Sequence, residues 1–262
     1  MTIPLFPIGA DPGSSFPELL RRVGLSPVAE PGSESGAVAV PHATTCVALR
    51  FADGVVMAGD RRATSGNLIS HRAMEKVVQA DGHSGVAIAG AAGPAMQMIK
   101  LFQLQLEHYE KVEGSALSLE GKANQLSLMV RDNLPAAMQG LAVVPLFAGY
   151  DLLRHTGRLF TYDVTGGRYE EQDFVATGSG MLHAGTVVKV GWRPTLDQAA
   201  AVRLACVALW EAADADSATG GPDPLRGIYP VVAVITAAGW TRVPDDALAS
   251  VFEEIAAEVR SR

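Results

Sequence analysis

From Thr44 onward the chain sets its strands in hairpins and its helices in pairs, and that order restricts the folds open to it more than any other feature. TTCVALRF is β-branched and apolar; Ala52, Asp53 and Gly54 follow, overlapping the next apolar run, GVVMAGD. An Asp-Gly pair between two such runs marks a tight hairpin. The pattern returns in KVVQADGHSGVAIAGAAG, where Asp81-Gly82 separates one strand from another leading to Gly90, so four strands come first. GPAMQMIKLFQLQLEHYEKVEG then places Met96, Ile99, Leu101, Phe102 and Leu106 at helical spacing, and a second helix is predicted from Ser118 to Gln139. Strands are predicted at PLFAGYD, GRLFTYDV and YEEQDFVAT, helices from Met181 to Val190 and from Leu196 to Ala213, a strand at PVVAVITA and a closing helix from Ala247 to Arg260. Runs of strands alternating with pairs of helices argue against a doubly wound parallel sheet. They argue for an α+β fold in which two sheets pack together with helices outside.

The first 43 residues are of another character. They hold seven of the chain's 15 prolines, and AEPGSESGAVAVPHA reads as flexible linker. Within them FPELLRRVGL can form a short helix started by Pro17, but nothing there builds a core. The whole chain has a net charge of −7; this segment carries −2 of it, so the rest keeps −5 and would repel a phosphate backbone. Nucleic acid is therefore a poor partner. Cys46 and Cys206 stand far apart with no Cys-x-x-Cys spacing, which supports neither a disulfide framework nor a zinc site and fits a reducing cytoplasm. No stretch reaches the roughly 18 continuous apolar residues of a membrane span, and no Lys or Arg precedes Arg21 to make the basic opening of a secretory signal.

The most informative feature for chemistry is the junction where PHA meets TTCVAL: a Pro/Gly-rich lead stops where a strand starts with threonine. GVVMAGDRRAT follows one hairpin later, then EKVVQA, then AIAGAAG. In order and spacing these segments resemble an N-terminal-nucleophile peptidase, specifically the catalytic β-type proteasome subunits of actinobacteria, in precursor form. ATGSGM and DADSATGGPDPLRGIYP continue the resemblance, as do LEHYEKVEG and GKANQLSLMVRDNLPAAMQGLAVVPL, so that it covers essentially all of residues 44–262.

The resemblance implies an αββα sandwich, two antiparallel sheets between helical layers, and a division into a propeptide, residues 1–43, and a peptidase domain, residues 44–262. It makes Thr44 the nucleophile, Asp60 the carboxylate, Lys76 the cation and Gly90 the backbone N–H donor, with Ser179, Asp216 and Thr219 around the freed amino terminus. Ala63, Thr64, Met74, Ile88, Ala92 and Met96 match substrate-pocket positions, which implies an apolar or medium-sized side chain before the cut. It also implies partners: α-type subunits that form a gate, further β subunits in a seven-membered ring, an ATPase that feeds tagged substrates, and unfolded proteins as substrate, in the cytoplasm, with no metal or organic cofactor.

The chemistry behind such an arrangement is general. An alcohol is a poor nucleophile at neutral pH, but an N-terminal α-amino group, with an unperturbed pKa of about 8, can take the hydroxyl proton directly or through water. Lys76 would depress the pKa of that amine and stabilise negative charge on oxygen, and Asp60 would hold Lys76 charged and oriented. The Gly90 N–H would face the oxyanion at a turn where a side chain would obstruct the substrate. Ser179, Asp216 and Thr219 could orient the amine and pass its proton. While residue 43 is attached the nitrogen is an amide without basicity, so the propeptide acts as a safety catch, released by attack of Thr44 on its own preceding carbonyl.

One departure stands at that bond. The family usually has glycine before the nucleophilic threonine and here it is Ala43, whose methyl restricts the backbone, so slower or incomplete cleavage between Ala43 and Thr44 is predicted.

Blander readings remain open at this stage. An Asp and a Lys sixteen positions apart are often a structural ion pair, Gly90 can simply mark a turn, Asp216 onward can simply end a helix, and an apolar stripe is more often core than pocket. The chain could also be a non-catalytic or unprocessed structural ring subunit, or a different N-terminal-nucleophile hydrolase acting on a small amide. Other motifs fail. His183 stands where a dinucleotide fold would need its third glycine, there is no G-x-S-x-G elbow, H-E-x-x-H or G-x-x-x-x-G-K-[ST], and the six histidines show no ligand spacing. Arg61-Arg62 and Arg21-Arg22 are short basic pairs suited to solvated faces or subunit contacts.

Overall fold

The computed structural model describes residues 44–65 and 68–261. The predicted short helix, the linker and Ala43 lie outside the described residues.

Each predicted hairpin forms. Strand β1 (Thr45–Phe51) pairs antiparallel with β2 (Gly54–Gly59), and β5 (Val77–Asp81) with β6 (Ser84–Gly90). Further along come β7 (Val143–Asp151), β8 (Thr156–Tyr162), β9 (Arg168–Glu171), β10 (Phe174–Gly178), β11 (Val231–Thr236) and β12 (Gly239–Arg242). They build two five-stranded antiparallel sheets, ordered β10-β1-β2-β11-β12 and β5-β6-β7-β8-β9.

Both faces of the first sheet are buried, which is why its strands read as near-continuous apolar runs rather than as an alternation. In β1, Cys46 and Ala48 point inward and meet Val77, Ala87, Leu146 and Leu159 of the other sheet. Val47 and Leu49, one residue out of phase, point outward to α4 (Met181–Gly191), α5 (Gln198–Ala215) and α6 (Asp245–Ser261). On the far side, Val86, Ile88, Phe147 and Phe160 of the second sheet pack on α1 (Ala92–Glu113) and α2 (Leu119–Asp132). Helices outside, two sheets inside: the predicted αββα sandwich is what the chain forms.

Local chemistry sets the helix ends. Ser118 caps α2 by accepting from the Gly121 N–H, and Asp197 caps α5 by accepting from Ala200. Gly114 closes α1 in the left-handed conformation, φ 69°, returning its N–H to the Glu110 carbonyl.

Three details differ from the sequence expectation. The second helix does not run to Gln139: α2 ends at Asp132 and a four-residue turn, α3 (Leu134–Ala137), follows, because Pro135 has no N–H to continue the ladder. YEEQDFVAT is two strands in different sheets, β9 on β8 and β10 on β1. A small separate hairpin, β3 (Ala63–Ser65) with β4 (Leu68–His71), intervenes before β5, and β12 follows β11. Arg61 and Arg62 are partly exposed, and each guanidinium also bonds a carbonyl, Arg61 that of Ala73 and Arg62 that of Ser217. Among the described residues no helix is long and apolar enough to cross a bilayer.

Candidate active site

The two sheets end side by side, and at that end the sequence has placed its charges. Asp60 directly follows β2 in one sheet and Lys76 directly precedes β5 in the other, so an ion pair between them bridges the sandwich. Lys76 Nζ donates to Asp60 Oδ1 at 2.7 Å and to the Arg62 carbonyl at 2.5 Å. Asp60 is 0% exposed and Lys76 1%. Burying two charges costs several kcal/mol per ion unless every remaining valence is filled, and here the backbone fills them. Oδ1 also accepts the Thr45 N–H at 2.9 Å, while Oδ2 accepts from Arg62 at 2.9 Å and Gly220 at 2.8 Å.

Thr44 directly precedes β1 and is 5% exposed. Its carbonyl accepts the Ser179 N–H at 2.8 Å, an extension of the ladder in which Thr45 pairs with Gly178. That approach demands glycine at 178. Its φ is 97°, and a Cβ there would lie 1.7 Å from the Thr44 carbonyl oxygen.

Ser179 and Thr219 both give their hydroxyl protons to Asp216 Oδ2, at 2.5 and 2.6 Å, and the Ala218 N–H bonds Oδ1. Burial works to raise the Asp216 carboxyl, but the bonds from Ser179, Thr219 and Ala218 outweigh it and hold the group below the usual carboxylate range. Asp216 is the residue at which α5 ends, and the turn after it carries Thr219 and then Gly220, whose N–H reaches Asp60. One loop thus joins the hydroxyl-carboxylate cluster to the ion pair.

Gly90 ends β6 at the same end of the sandwich, next to the segment that carries Lys76, whose carbonyl accepts the Ile88 N–H. The structure supplies a reason for glycine here that the sequence did not: φ is 116° and a Cβ would stand 2.2 Å from the Ala142 carbonyl oxygen. Clearance for the backbone of the loop before β7 is required whether or not a substrate binds. Of the candidate pocket residues, Ile88 is buried in the core beneath α1, with Met74 and Met96 packed at its rim, while Ala63, Thr64 and Ala92 are partly buried.

Sequence reasoning did not single out Thr45 or Arg62. Thr45 is fully buried; its N–H meets Asp60 and its hydroxyl lies 2.5 Å from that of Thr219. Arg62 contributes a carbonyl and an N–H, groups that every residue type but proline carries, so composition could not flag it. The doubled threonine at the head of β1 was the available signal for Thr45. Cys46, two residues beyond Thr44, is an unreactive thiol, because burial pushes it up to about 12.

The family model for proteasome subunits matches residues 40–223. Proteasome subunit beta of Acidimicrobium ferrooxidans is 58% identical over 262 residues, all of this chain and 96% of the relative. That of Acidothermus cellulolyticus is 58% identical over 83% of this chain and 77% of its own length, and that of Streptomyces griseus 55% identical over 93% and 88%. With the sandwich, the match across the ion pair and the identity along the whole length taken together, the chain belongs to the proteasome subunit family, on its β side.

Proposed function

We propose that this chain is a threonine-type endopeptidase subunit of a proteasome core particle, made active when residues 1–43 are removed and Thr44 becomes the amino terminus. The observation that carries the reading is the buried Lys76–Asp60 pair hydrogen-bonded to the N–H of the residue after Thr44. A cation held there lowers the cost of negative charge on a nearby oxygen and favours the neutral, basic form of a nearby amine. The Gly90 N–H serves the oxyanion, and Ser179, Asp216 and Thr219 receive the new amino terminus. Ala63, Thr64, Met74, Ala92 and Met96 line the pocket for an apolar side chain, at the rim of the core that holds Ile88.

Unfolded polypeptide is the substrate, inside a chamber of seven-membered β rings closed by α rings, in the cytoplasm, with a regulatory ATPase acting through the α ring. Leu101, Leu104 and Val112 along the outer face of α1 are exposed apolar side chains, which suits a subunit covered by neighbours. Ala43 before the scissile bond makes maturation slower than glycine would, or incomplete.

Co-expression with α subunits tests this, reading intact subunit mass and fluorogenic-peptide hydrolysis for wild type and Thr44→Ala. Wild type is expected to lose residues 1–43 and turn over; Thr44→Ala is expected to assemble, keep its full mass and be inactive. A wild-type subunit that keeps residues 1–43 in the assembled particle and hydrolyses nothing would instead make this a structural ring subunit.

A further inference from the structure

Thr45 is joined to both halves of the site at once. Its N–H bonds Asp60 Oδ1 at 2.9 Å, and Asp60 Oδ1 in turn accepts from Lys76. Its hydroxyl contacts Thr219 Oγ1 at 2.5 Å and accepts the Gly180 N–H at 3.0 Å.

The direction of these bonds follows from the chemistry of their ends. Asp216, ionised, can only accept, so the single hydroxyl proton of Thr219 goes to its Oδ2. With that proton committed, Thr219 must accept in its contact with Thr45, and the Thr45 hydroxyl must donate. A backbone N–H can only donate, so Gly180 gives its hydrogen to Thr45. The chain therefore runs one way: Gly180 N–H to Thr45, Thr45 to Thr219, Thr219 to Asp216. Nothing in it can reverse without leaving a buried group unpaired. Nor is there room for a substitute, since Thr45 and Thr219 are both 0% exposed, and even a Cβ on Gly180 would stand 2.5 Å from the Thr45 hydroxyl oxygen and 2.9 Å from that of Thr219.

We infer that Thr45 is a positioning residue for the Thr44 reaction, fixing the Thr44–Thr45 peptide simultaneously to the Lys76–Asp60 pair through its N–H and to the Asp216–Thr219–Ser179 cluster through its hydroxyl. This rests on Thr44 being the nucleophile. The peptide that carries Thr44 is then held at three points: the Thr44 carbonyl on Ser179, the Thr45 nitrogen on Asp60, and the Thr45 side chain on Thr219. Removing the hydroxyl releases the third point and deprives Thr219 of the donor that fixes its own rotamer. Substrate binding, which involves other surfaces, is left alone. The signature is a loss in kcat without a change in KM.

The test uses particles co-expressed with α subunits, with fluorogenic-peptide kinetics expressed per processed subunit from intact mass. Thr45→Ala is expected to lower kcat about 10- to 100-fold, as a lost positioning contact does, with KM within about twofold, and Thr45→Ser, which keeps the hydroxyl, is expected to stay within about threefold of wild type. Thr45→Val repeats the comparison with the methyl retained, so that if one hydroxyl-free variant does not assemble the other decides. Wild-type kcat in Thr45→Ala, or a Thr45→Ser variant as slow as Thr45→Ala, overturns the inference; so does failure of both hydroxyl-free variants to assemble, which would make the hydroxyl a folding element. Thr44→Ala is run alongside. If it is inactive while Thr45→Ala is normal, only the role of Thr45 falls; if it is active, the nucleophile reading falls and this inference with it.

Discussion

Asp60→Asn is nearly isosteric, yet the geometry says it should be among the most damaging changes available. All four contacts to the carboxylate come from donors: Lys76 and Thr45 on Oδ1, Arg62 and Gly220 on Oδ2. An amide has one oxygen and an NH2 that can only donate. If its oxygen takes the Oδ2 position, the NH2 confronts a buried ammonium. If it takes Oδ1, the NH2 confronts the Arg62 and Gly220 N–H groups and orphans both. The second arrangement is the cheaper, and each orphaned donor costs about 1–3 kcal/mol, so about 4 kcal/mol is lost before the missing counter-charge of Lys76 is counted. Breaking a buried pair costs about 3–5 kcal/mol, partly the same loss, which brings the total to about 5 kcal/mol or more. For a domain of this size that is a fall in Tm of about 10–20 °C. Thermal unfolding and yield of the co-expressed particle measure it. Asp60→Asn is expected to be as unstable as Asp60→Ala, since the amide keeps the site filled while presenting the wrong polarity to two donors. An Asn variant melting within about 2 °C of wild type would refute the reasoning, because it would mean that the four donors do not need the charge.

Two further outcomes are expected. Gly178→Ala places a methyl 1.7 Å from the Thr44 carbonyl and should abolish both loss of residues 1–43 and peptide hydrolysis; Gly114→Ala, also at positive φ but with nothing within 4 Å, should cost about 1 kcal/mol in thermal unfolding and leave hydrolysis unchanged. Burial pushes the Cys46 and Cys206 thiols up to about 12 from an ordinary 9.0, so the folded state keeps protons that the unfolded state releases. The stability this carries is complete below pH 9 and is lost as pH rises from 9 toward 12, by roughly 1 kcal/mol per pH unit for each thiol. Melting temperature should fall through that window, and a thiol reagent at pH 8 should label neither cysteine until the chain unfolds.

Strands β1, β2, β5 and β6 were legible because each hairpin carries an Asp-Gly turn between apolar runs, almost wholly buried in β1, β2 and β6, while the edge strand β5 shows Gln79 to solvent. The β3–β4 hairpin was not: Leu68–His71 is exposed along its length, so no core face patterns its sequence. The split of YEEQDFVAT was equally invisible, since β10 leaves its neighbour to pair with β1, more than a hundred residues earlier, and only that long-range register separates the two strands. Pro135 is readable in the sequence and marks the break between α2 and α3, through which helical periodicity alone continues.

The site divides along a similar line. Asp60 and Lys76 could be named from sequence because they stand in recognisable motifs at the ends of strands, and they meet as the resemblance implied. Main-chain donors leave no such trace. Three of the four bonds to Asp60 come from backbone N–H groups, and Lys76 is anchored on a backbone carbonyl. Those groups are in place only because β1, the turn after β2 and the loop after α5 converge at one end of the sandwich. The ion pair is therefore tolerable only in the finished fold: assembled late, it would find its donors ready, whereas a chain that buried Lys76 before Gly220 arrived would hold a carboxylate with a lone pair unfilled. A folding study by amide exchange should accordingly protect the Gly220 N–H together with that of Thr45, as one cooperative unit, rather than with the helix that precedes it.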